Sequence, residues 1–220
     1  MVVFENRNEA GLRLAEFLKD KLEEINPIVI ALPRGGVPVG FEVAKALGIK
    51  FSILPVRKLG VPSNPELAFG SIDPDGTIYL NPSVVENFGL TEEVIKEVAE
   101  RELRELKRRL ELYLEGKLPN LTDREVIIVD DGFATGYTTL AACGFVKKRE
   151  PQRLIISAPV APPDTVEFLE KNCETTVAVL ETPEPFFAVG MFYKDFHQLT
   201  DEEVLAYREL AKKLGLWEPL

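Results

Sequence analysis

Hydrophobic residues are distributed along the chain in two alternating patterns. Short uninterrupted apolar runs, typical of strands that are covered on both faces, alternate with longer stretches in which apolar residues return every three or four positions, as on one face of a helix. The strand-type runs lie at 27–32, 51–56, 126–130, 153–160 and 175–181. This alternation predicts an α/β protein with a mainly parallel sheet and helices on both of its faces.

The helical stretches lie between and around these runs. They cover residues 8–25, 40–47, 91–114, 136–149, 163–171 and 201–214. Thr91 and Thr200 are expected to be N-caps, because a hydroxyl there can accept a hydrogen bond from a free amide of the first turn. Gly48 is expected to end its helix, since glycine readily adopts the left-handed conformation found at that position.

One segment departs from the alternation. Residues 57–76 are rich in glycine, proline, serine and asparagine, a composition typical of loops and turns. We expect a long flexible loop with one short strand at 69–72, followed by an edge or hairpin strand at 77–81. Loops of that length inside a compact domain are usually functional.

The end of the chain has a different character. Residues 183–200 are irregular and aromatic, and they precede the last helix. No repeat or linker is visible, so we expect a single domain over 1–220. Its core would occupy about 1–182, and a small C-terminal hood with the last helix would occupy about 183–220.

Composition narrows the classes of function. Hydrophobic residues make up 45% and charged residues 28%, as in globular proteins, and the net charge of −10 argues against nucleic acid as a partner. His197 is the single histidine, which excludes mechanisms that need two or more histidines, such as a histidine pair or a histidine metal cluster. Cys143 and Cys173 show no metal-type spacing and are expected to be buried thiols. No secretion signal or membrane-spanning apolar run is visible, which predicts a cytoplasmic protein.

One stretch carries a chemical pattern, VIIVDDGFATGYTT at 126–139. Four apolar residues lead to Asp130 and Asp131, at the end of a strand where open α/β sheets bind ligands. Consecutive strand residues point to opposite faces, so both acids can meet one ligand only if the strand ends there. The loop that follows supplies amides, hydroxyls and Gly136 at the start of a helix, an arrangement that binds anions. Since carboxylates accept hydrogen bonds from sugar hydroxyls, the stretch suits a phosphorylated sugar.

Other interpretations of this stretch stay open at this point. Its apolar run and acid pair also resemble a Walker B segment, although the chain contains no GxxxxGK[ST] loop, and no GxGxxG follows a strand. A receiver-like phosphoaspartyl pocket would use similar residues. A strand end without any chemistry would also produce them.

The stretch at 126–139 resembles the ribose-5-phosphate signature of the type I phosphoribosyltransferases. Residues 31–48, 55–72 and 188–204 are similar, in the same order, to a bacterial and archaeal branch of that family. The resemblance implies a three-layer α/β/α, Rossmann-like fold with a loop or hairpin insertion and a hood. It also implies 5-phosphoribosyl-1-pyrophosphate as donor, a nitrogenous base as acceptor, release of pyrophosphate, and Mg²⁺. A homodimer is a further expectation.

The resemblance assigns roles to individual residues. Asp130 and Asp131 would bind the ribose hydroxyls and hold Mg²⁺ through water. The 5-phosphate would be bound by Ala134, Thr135, Gly136, Tyr137 and Thr138. The pyrophosphate would be bound by Arg34, Gly35, Gly36, Arg57 and Lys58, with a non-proline cis peptide expected at Arg34–Gly35.

Catalysis and the acceptor are assigned in the same way. Ala134 stands where hypoxanthine-type enzymes carry an aspartate, so acid–base work is expected from Lys58 and Glu66 instead. The acceptor would stack on aromatic residues of the hood, which are Phe186, Phe187, Phe192, Tyr193 and Phe196. The same aromatics could instead form a small hydrophobic core. The alternative function is a sensor that binds the donor or a nucleotide without turnover.

Overall fold

A five-stranded parallel sheet forms the centre of the molecule. The structure, a computed structural model, describes residues 3–23 and 25–219. Its strands are β1 (Ile28–Ala31), β2 (Lys50–Ile53), β3 (Arg57–Val61), β4 (Asn64–Ile72), β5 (Ile78–Leu80), β6 (Glu125–Val129), β7 (Arg153–Val160) and β8 (Thr176–Glu181). Its helices are α1 (Arg7–Leu18), α2 (Gly36–Leu47), α3 (Pro82–Asn87), α4 (Glu92–Leu114), α5 (Tyr137–Lys147), α6 (Pro163–Cys173) and α7 (Asp201–Lys213). The parallel strands lie in the order β2-β1-β6-β7-β8.

Both faces of this sheet are buried, as the uninterrupted apolar runs predict. Val29 of β1 and Ile127 of β6 point into a core shared with α1, α2 and α7. Their chain neighbours Ile28 and Val126 point into a second core shared with α5 and α6. The three-layer α/β/α fold is therefore confirmed, and it follows from strands that are apolar on both sides.

Helix ends follow the predicted capping. The hydroxyl of Thr91 accepts a hydrogen bond from the amide of Val94 at 3.4 Å. Thr200 and Glu203 form a capping box, in which each side chain accepts from the other residue's amide. Gly48 ends α2 with a φ of 68°. These caps set where α2, α4 and α7 begin or end.

Two helix boundaries differ from the sequence prediction by more than the one or two residues seen at other helix ends. The first helix ends at Leu18 rather than at residue 25, and α2 begins at Gly36 rather than at residue 40. Pro38 concealed the second start. Proline is tolerated in the first turn of a helix, because the amide that it lacks has no partner within the helix there.

The composition-based expectation of a long loop at 57–76 was wrong, whereas a hairpin insertion, one of the two forms that the resemblance implied, is confirmed. β3 and β4 form an antiparallel hairpin within it, and β5 extends the hairpin into a three-stranded sheet. Leu59 and Phe69 are among the residues of this sheet that pack against α4. Gly60 obscured the alternation, and it is needed because a Cβ there would lie 2.6 Å from the carbonyl oxygen of Pro65.

Asp73 anchors the small sheet to α5. It is fully buried, and its Oδ1 accepts from the amides of Asp75 and Thr77, both at 2.9 Å. Its Oδ2 accepts from Nζ of Lys148, the C-cap residue of α5, at 2.9 Å and from the Tyr79 hydroxyl at 3.2 Å. A buried carboxylate with four donors is stable in such a position.

In the part of the chain described, no helix is long and apolar enough to cross a membrane.

We predict that Asp73→Asn lowers the free energy of unfolding by about 1–3 kcal/mol, because its amide nitrogen would face the donors Lys148 and Tyr79. Asp75→Asn is the matched control, since it removes the same charge beside Lys148 but at an exposed position, where the loss should be below about 1 kcal/mol. Urea unfolding of both variants measures the difference. Equal losses would show that the anchoring depends on charge alone.

Candidate functional site

Asp130 and Asp131 lie where β6 ends, at the carboxyl edge of the sheet. The amide of Asp131 donates to Oδ1 of Asp130 at 2.8 Å, so the chain turns sharply there. Asp131 is buried, and its Oδ2 accepts from Nε of Arg7 at 2.8 Å. Asp130 is half-buried. The turn lets the two carboxyls share one side of the edge despite the alternation of strand side chains.

The turn at 33–36 lies directly against this acid pair. A Cβ on Gly35 would be 2.0 Å from Oδ2 of Asp131, and a Cβ on Gly36 would be 3.0 Å from Oδ1 of Asp130. Gly35 is therefore required by the approach of the Asp131 carboxylate, and Gly36 chiefly by the backbone, because its Cβ would also lie 2.7 Å from the carbonyl oxygen of Val129. The sequence motifs around residues 34 and 130 thus form one site.

The cis peptide expected at Arg34–Gly35 is instead at Pro33–Arg34. The residues after this bond, Gly35 and Gly36, already have the backbone conformation of the start of α2. The amide of Gly36 donates to the carbonyl of Leu32 at 2.9 Å. Gly35 itself has right-handed helical dihedral angles, with φ of −59° and ψ of −37°.

The side chain of Arg34 is turned toward the last helix. Its Nη1 lies 3.8 Å from Oδ1 of Asp201, the first residue of α7. Asp201 also accepts hydrogen bonds from the hydroxyl of Tyr113 and from Arg108. The distance of 3.8 Å is loose for a guanidinium–carboxylate pair, so Arg34 can exchange this partner for an anion beside the turn.

The loop after Asp131 presents backbone amides at the start of α5. The carbonyl of Ala134 accepts from Thr165 of α6 at 2.5 Å, and that of Tyr137 accepts from Ser71 of β4 at 2.6 Å. Gly136 turns the chain into α5 with a φ of 83°, and no side chain caps this helix. With the carbonyls held by neighbouring elements and the first amides uncapped, the helix start is suited to an anion.

A cavity of about 320 Å³ lies over this loop. Its walls include all the residues predicted to bind the 5-phosphate, which are Ala134, Thr135, Gly136, Tyr137 and Thr138. Lys58 and Glu66 of the hairpin form the opposite wall, with Lys58 Nζ 3.4 Å from Glu66 Oε2. Asn81, which the sequence did not single out, also lines the cavity. The hairpin therefore covers the loop, as an insertion over a ligand would.

Arg57 is placed differently from its neighbour. Its Nε and Nη2 donate to Oε2 of Glu102 on α4, at 2.9 and 2.6 Å. Adjacent residues of a strand point to opposite faces, so Lys58 faces the cavity while Arg57 faces α4. The expectation that Arg57 binds pyrophosphate does not fit this ion pair, because its guanidinium is already engaged.

The aromatic residues of the hood mostly form a small core. Phe192 and Tyr193 are buried with Phe4, so they offer no open face for a base. Phe186 stacks on Phe192 with ring centroids 5.2 Å apart, whereas Phe187 is 81% exposed. The stacking role expected of Phe192 and Tyr193 was therefore wrong, and the small hydrophobic core, left open by the sequence, is what these residues form.

Arg7 is a site residue that the sequence reasoning missed. It is buried at the start of α1, in helical phase with Ala10 and Leu14 on the apolar face. A single arginine within an apolar stripe is an available signal, because a buried charge needs a partner. That partner is Asp131.

The acid pair is electrostatically unequal. Burial and the nearby charge of Asp131 raise the pKa of Asp130 well above its ordinary value. Burial also raises the pKa of Asp131, but the Arg7 guanidinium opposes this rise. Asp130 is therefore the carboxyl whose charge is least compensated by the protein, and a cationic ligand beside it would be favoured.

No group of three or more His, Cys, Asp or Glu side chains suited to a metal ion occurs among the described residues. Mg²⁺ often binds proteins through one or two carboxylates only, and takes its other ligands from water and from the phosphates of a substrate. The residues present fit Mg²⁺ in this manner. Asp130 and Asp131 are the carboxylates at the site. They would hold the ion together with a bound diphosphate.

Fold and site together define a Rossmann-like α/β protein in which an acid pair lies beside a loop that leads into an uncapped helix start. The chain belongs to the phosphoribosyl transferase domain family, whose model matches residues 5–192. It is 42% identical over 97% of its length to a Mycobacterium tuberculosis H37Rv protein named "Putative phosphoribosyl transferase Rv0571c". That match covers 48% of the mycobacterial protein, so the chain spans about half the length of this relative.

Solved structures show the same fold. The crystal structure of TT1426 from Thermus thermophilus matches with a TM-score of 0.77 and 38% identity, covering 94% of this chain and 97% of the other. The AQ2163 protein from Aquifex aeolicus matches with a TM-score of 0.52 and 18% identity, covering 84% and 78%. The second similarity concerns the fold alone.

We predict opposite effects of two isosteric substitutions. Because the folded-state pKa of Asp130 is raised, its ionised form weakens the wild-type fold as pH rises above the ordinary value of about 3.9. Asp130→Asn should therefore increase the free energy of unfolding at pH 8 and change it little at pH 4. Asp131→Asn leaves Arg7 buried without its anion, and should cost about 3 kcal/mol.

Thermal unfolding of both variants between pH 4 and pH 8 measures these effects. The wild type is the reference at each pH. Destabilisation by Asp130→Asn at pH 8 would contradict the electrostatic assignment. So would a neutral Asp131→Asn.

Proposed function

We propose that this protein transfers the phosphoribosyl group of 5-phosphoribosyl-1-pyrophosphate to a nitrogenous base and releases pyrophosphate. One observation carries the proposal: an acid pair, a two-glycine turn and an uncapped helix start meet at one edge of the sheet. Each of the three suits a different part of the donor. Membership of the phosphoribosyl transferase domain family supports the same reaction class.

The donor would lie along the sheet edge. Its 5-phosphate would accept hydrogen bonds from the amides and hydroxyls of Thr135 and Thr138, at the start of α5. Its ribose hydroxyls would donate to Asp130 and Asp131. Its pyrophosphate would lie against the turn at 33–36, where the glycines allow the closest approach of the backbone.

The reaction would begin with departure of the pyrophosphate. The bond between C1 of the ribose and a pyrophosphate oxygen breaks, and its electron pair leaves with that oxygen. Positive charge then develops at C1 and negative charge on the leaving group. Lys58 and Arg34 are the side chains available to stabilise the leaving group, which is the interaction that lowers the barrier. Bound Mg²⁺ would add further positive charge there.

The acceptor completes the reaction by attack at C1. A ring nitrogen forms the new bond, and its proton passes to a base. Ala134 has no basic atom in its side chain, so Glu66 of the hairpin is our candidate to receive the proton. The Glu66 side chain is 93% exposed, so it is free to change its conformation. Its contact with Lys58 places it at the edge of the cavity.

The acceptor would enter from the side of α6. An open cleft of about 530 Å³ lies there between Pro162, Pro163 and the hood residue Phe186. Apolar walls of this kind suit a planar heterocycle. The carboxylates of Asp164 and Glu184 at the same cleft would accept hydrogen bonds from ring or amino N–H groups.

A sensor without turnover is the second candidate, and one observation favours it. Arg57, expected on the pyrophosphate, is bound to Glu102, and Lys58 is paired with Glu66. Fewer cations are then free for a leaving group than in the arrangement that the resemblance implied. Such a protein would bind the donor but would not release pyrophosphate.

We expect calorimetry to detect binding of 5-phosphoribosyl-1-pyrophosphate, tighter with Mg²⁺ than without it, because the ion screens the diphosphate beside the acids. A screen of purine and pyrimidine bases should then detect pyrophosphate release. Asp130→Asn should weaken donor binding at least about tenfold, whereas the distant control Asp75→Asn should not. Binding without release for every base would favour the sensor, and absence of binding would refute both candidates.

Lys58→Ala tests the assignment of the leaving-group cation. We expect pyrophosphate release to fall by about 10²-fold while donor affinity changes much less, because charge on the leaving group is greatest in the transition state. Lys96→Ala, an exposed lysine of α4, is the control. Equal losses of rate and affinity would show that Lys58 only binds the ground state.

A further inference from the structure

Arg7 connects three parts of the molecule that are far apart in sequence. Its Nε donates to Oδ2 of Asp131 at 2.8 Å. Its Nη1 donates to the carbonyl of His197 at 2.9 Å, and its guanidinium lies 4.0 Å from the ring centre of Phe196. A planar guanidinium can make such contacts at once, which an ammonium cannot.

The segment containing His197 also touches the rest of the donor site. We call residues 193–201 the brace. At one end, the hydroxyl of Tyr193 donates to the carbonyl of Asp131 at 2.6 Å. At the other end, Asp201 lies 3.8 Å from Arg34 of the glycine turn. The brace therefore contacts both the acid pair and the turn.

The brace and the start of the chain form one structural unit. The amide of Phe4 donates to the carbonyl of Phe192 at 2.7 Å, and the amide of Lys194 donates to the carbonyl of Phe4 at 2.8 Å. Residues 4 and 193 thus pair as in a sheet. Arg7 follows directly on this pairing, so its position depends on the brace.

The contact of Arg7 with Asp131 uses one carboxylate oxygen. Arg7 engages Oδ2, and Oδ1 would be the oxygen that accepts a hydrogen bond from a ribose hydroxyl. The backbone of Asp131 is held separately through Tyr193. Asp131 is therefore held both at one carboxylate oxygen and at its backbone carbonyl. This leaves the carboxylate little freedom to move, and recognition of a sugar hydroxyl depends on such a fixed orientation.

We propose that Arg7 is a positioning residue of the donor site, which holds the Asp131 carboxylate for one ribose hydroxyl and makes its orientation depend on the brace. The inference rests on the proposed function, because it assigns Asp131 to the ribose. It also changes the role of the hood, which would hold Arg7 and Asp131 in position for the donor instead of stacking on the acceptor. A buried ion pair alone is weak grounds for a contribution to stability, and orientation is the role that the contacts explain.

The experiment compares two ligands that differ only in the sugar hydroxyls, ribose 5-phosphate and 2,3-dideoxyribose 5-phosphate. In the wild type, the first should bind more tightly. Arg7→Met should weaken ribose 5-phosphate about tenfold and leave the dideoxy compound unchanged, and Arg7→Lys should recover part of the loss. Arg13→Met is the matched control, because Arg13 lies on the same helix and its partner, Glu9, is only partly buried.

Tyr193→Phe keeps the proposal testable if Arg7→Met does not fold. It removes only the hydroxyl that binds the Asp131 carbonyl, and should also reduce the preference for ribose 5-phosphate. In the background of Asp131→Asn, neither substitution should change that preference further, since the three residues would act through one carboxylate.

The outcomes separate this inference from the proposed function. If folded Arg7 and Tyr193 variants keep the wild-type preference, or lose affinity for both ligands equally, the positioning role is overturned while donor binding stands. If the wild type itself binds neither ligand, the proposed function fails, and the inference fails with it.

Discussion

Parallel pairing of β1 with β6 is the constraint on which the site depends. Ala31 lies opposite Val129, and the amide of Leu32 donates to the carbonyl of Val129 at 2.9 Å. Two neighbouring parallel strands end at the same edge, so the segments that follow them must emerge side by side. This places the glycine turn against the acid pair so closely that neither Gly35 nor Gly36 has room for a Cβ. The remaining parts of the site, the hairpin, the brace and α5, are arranged around that contact.

The net charge of the chain and the charge of the ligand expected at its site have the same sign. The chain carries a net charge of −10, yet its candidate site is suited to a phosphorylated anion. Backbone amides resolve this difference, because they attract anions without adding basic residues. Among the basic side chains nearby, Arg7 is bound to Asp131 and Arg57 to Glu102. Net charge therefore bears on association with polyanions such as nucleic acid, and says little about a local phosphate site.

The strands of the hairpin and the burial of the hood aromatics could not be predicted from the residue pattern. Residues 57–76 were expected to form a loop because glycine and proline are frequent there. Gly60 and Pro65 lie in a hairpin whose strands approach closely, so the same residues that suggested a loop permit the strand contact. In the hood, the aromatic residues left two interpretations open, a stacking surface for a base and a small hydrophobic core. The choice between them depended on which residues cover Phe192 and Tyr193, and this is a property of the folded chain.

The chain's own pattern determined the layers of the fold, the capped helix ends and the position of an acid pair between a strand end and a helix start. These features depend on neighbours in sequence: apolar runs bury both faces of a strand, and a hydroxyl or glycine ends a helix. Only the tertiary structure decided that Lys58 faces the cavity while Arg57 faces α4, that the cis peptide precedes Arg34, and that Arg7 holds Asp131. The physical reason is that the direction and the partner of a charged side chain are set by elements distant in sequence.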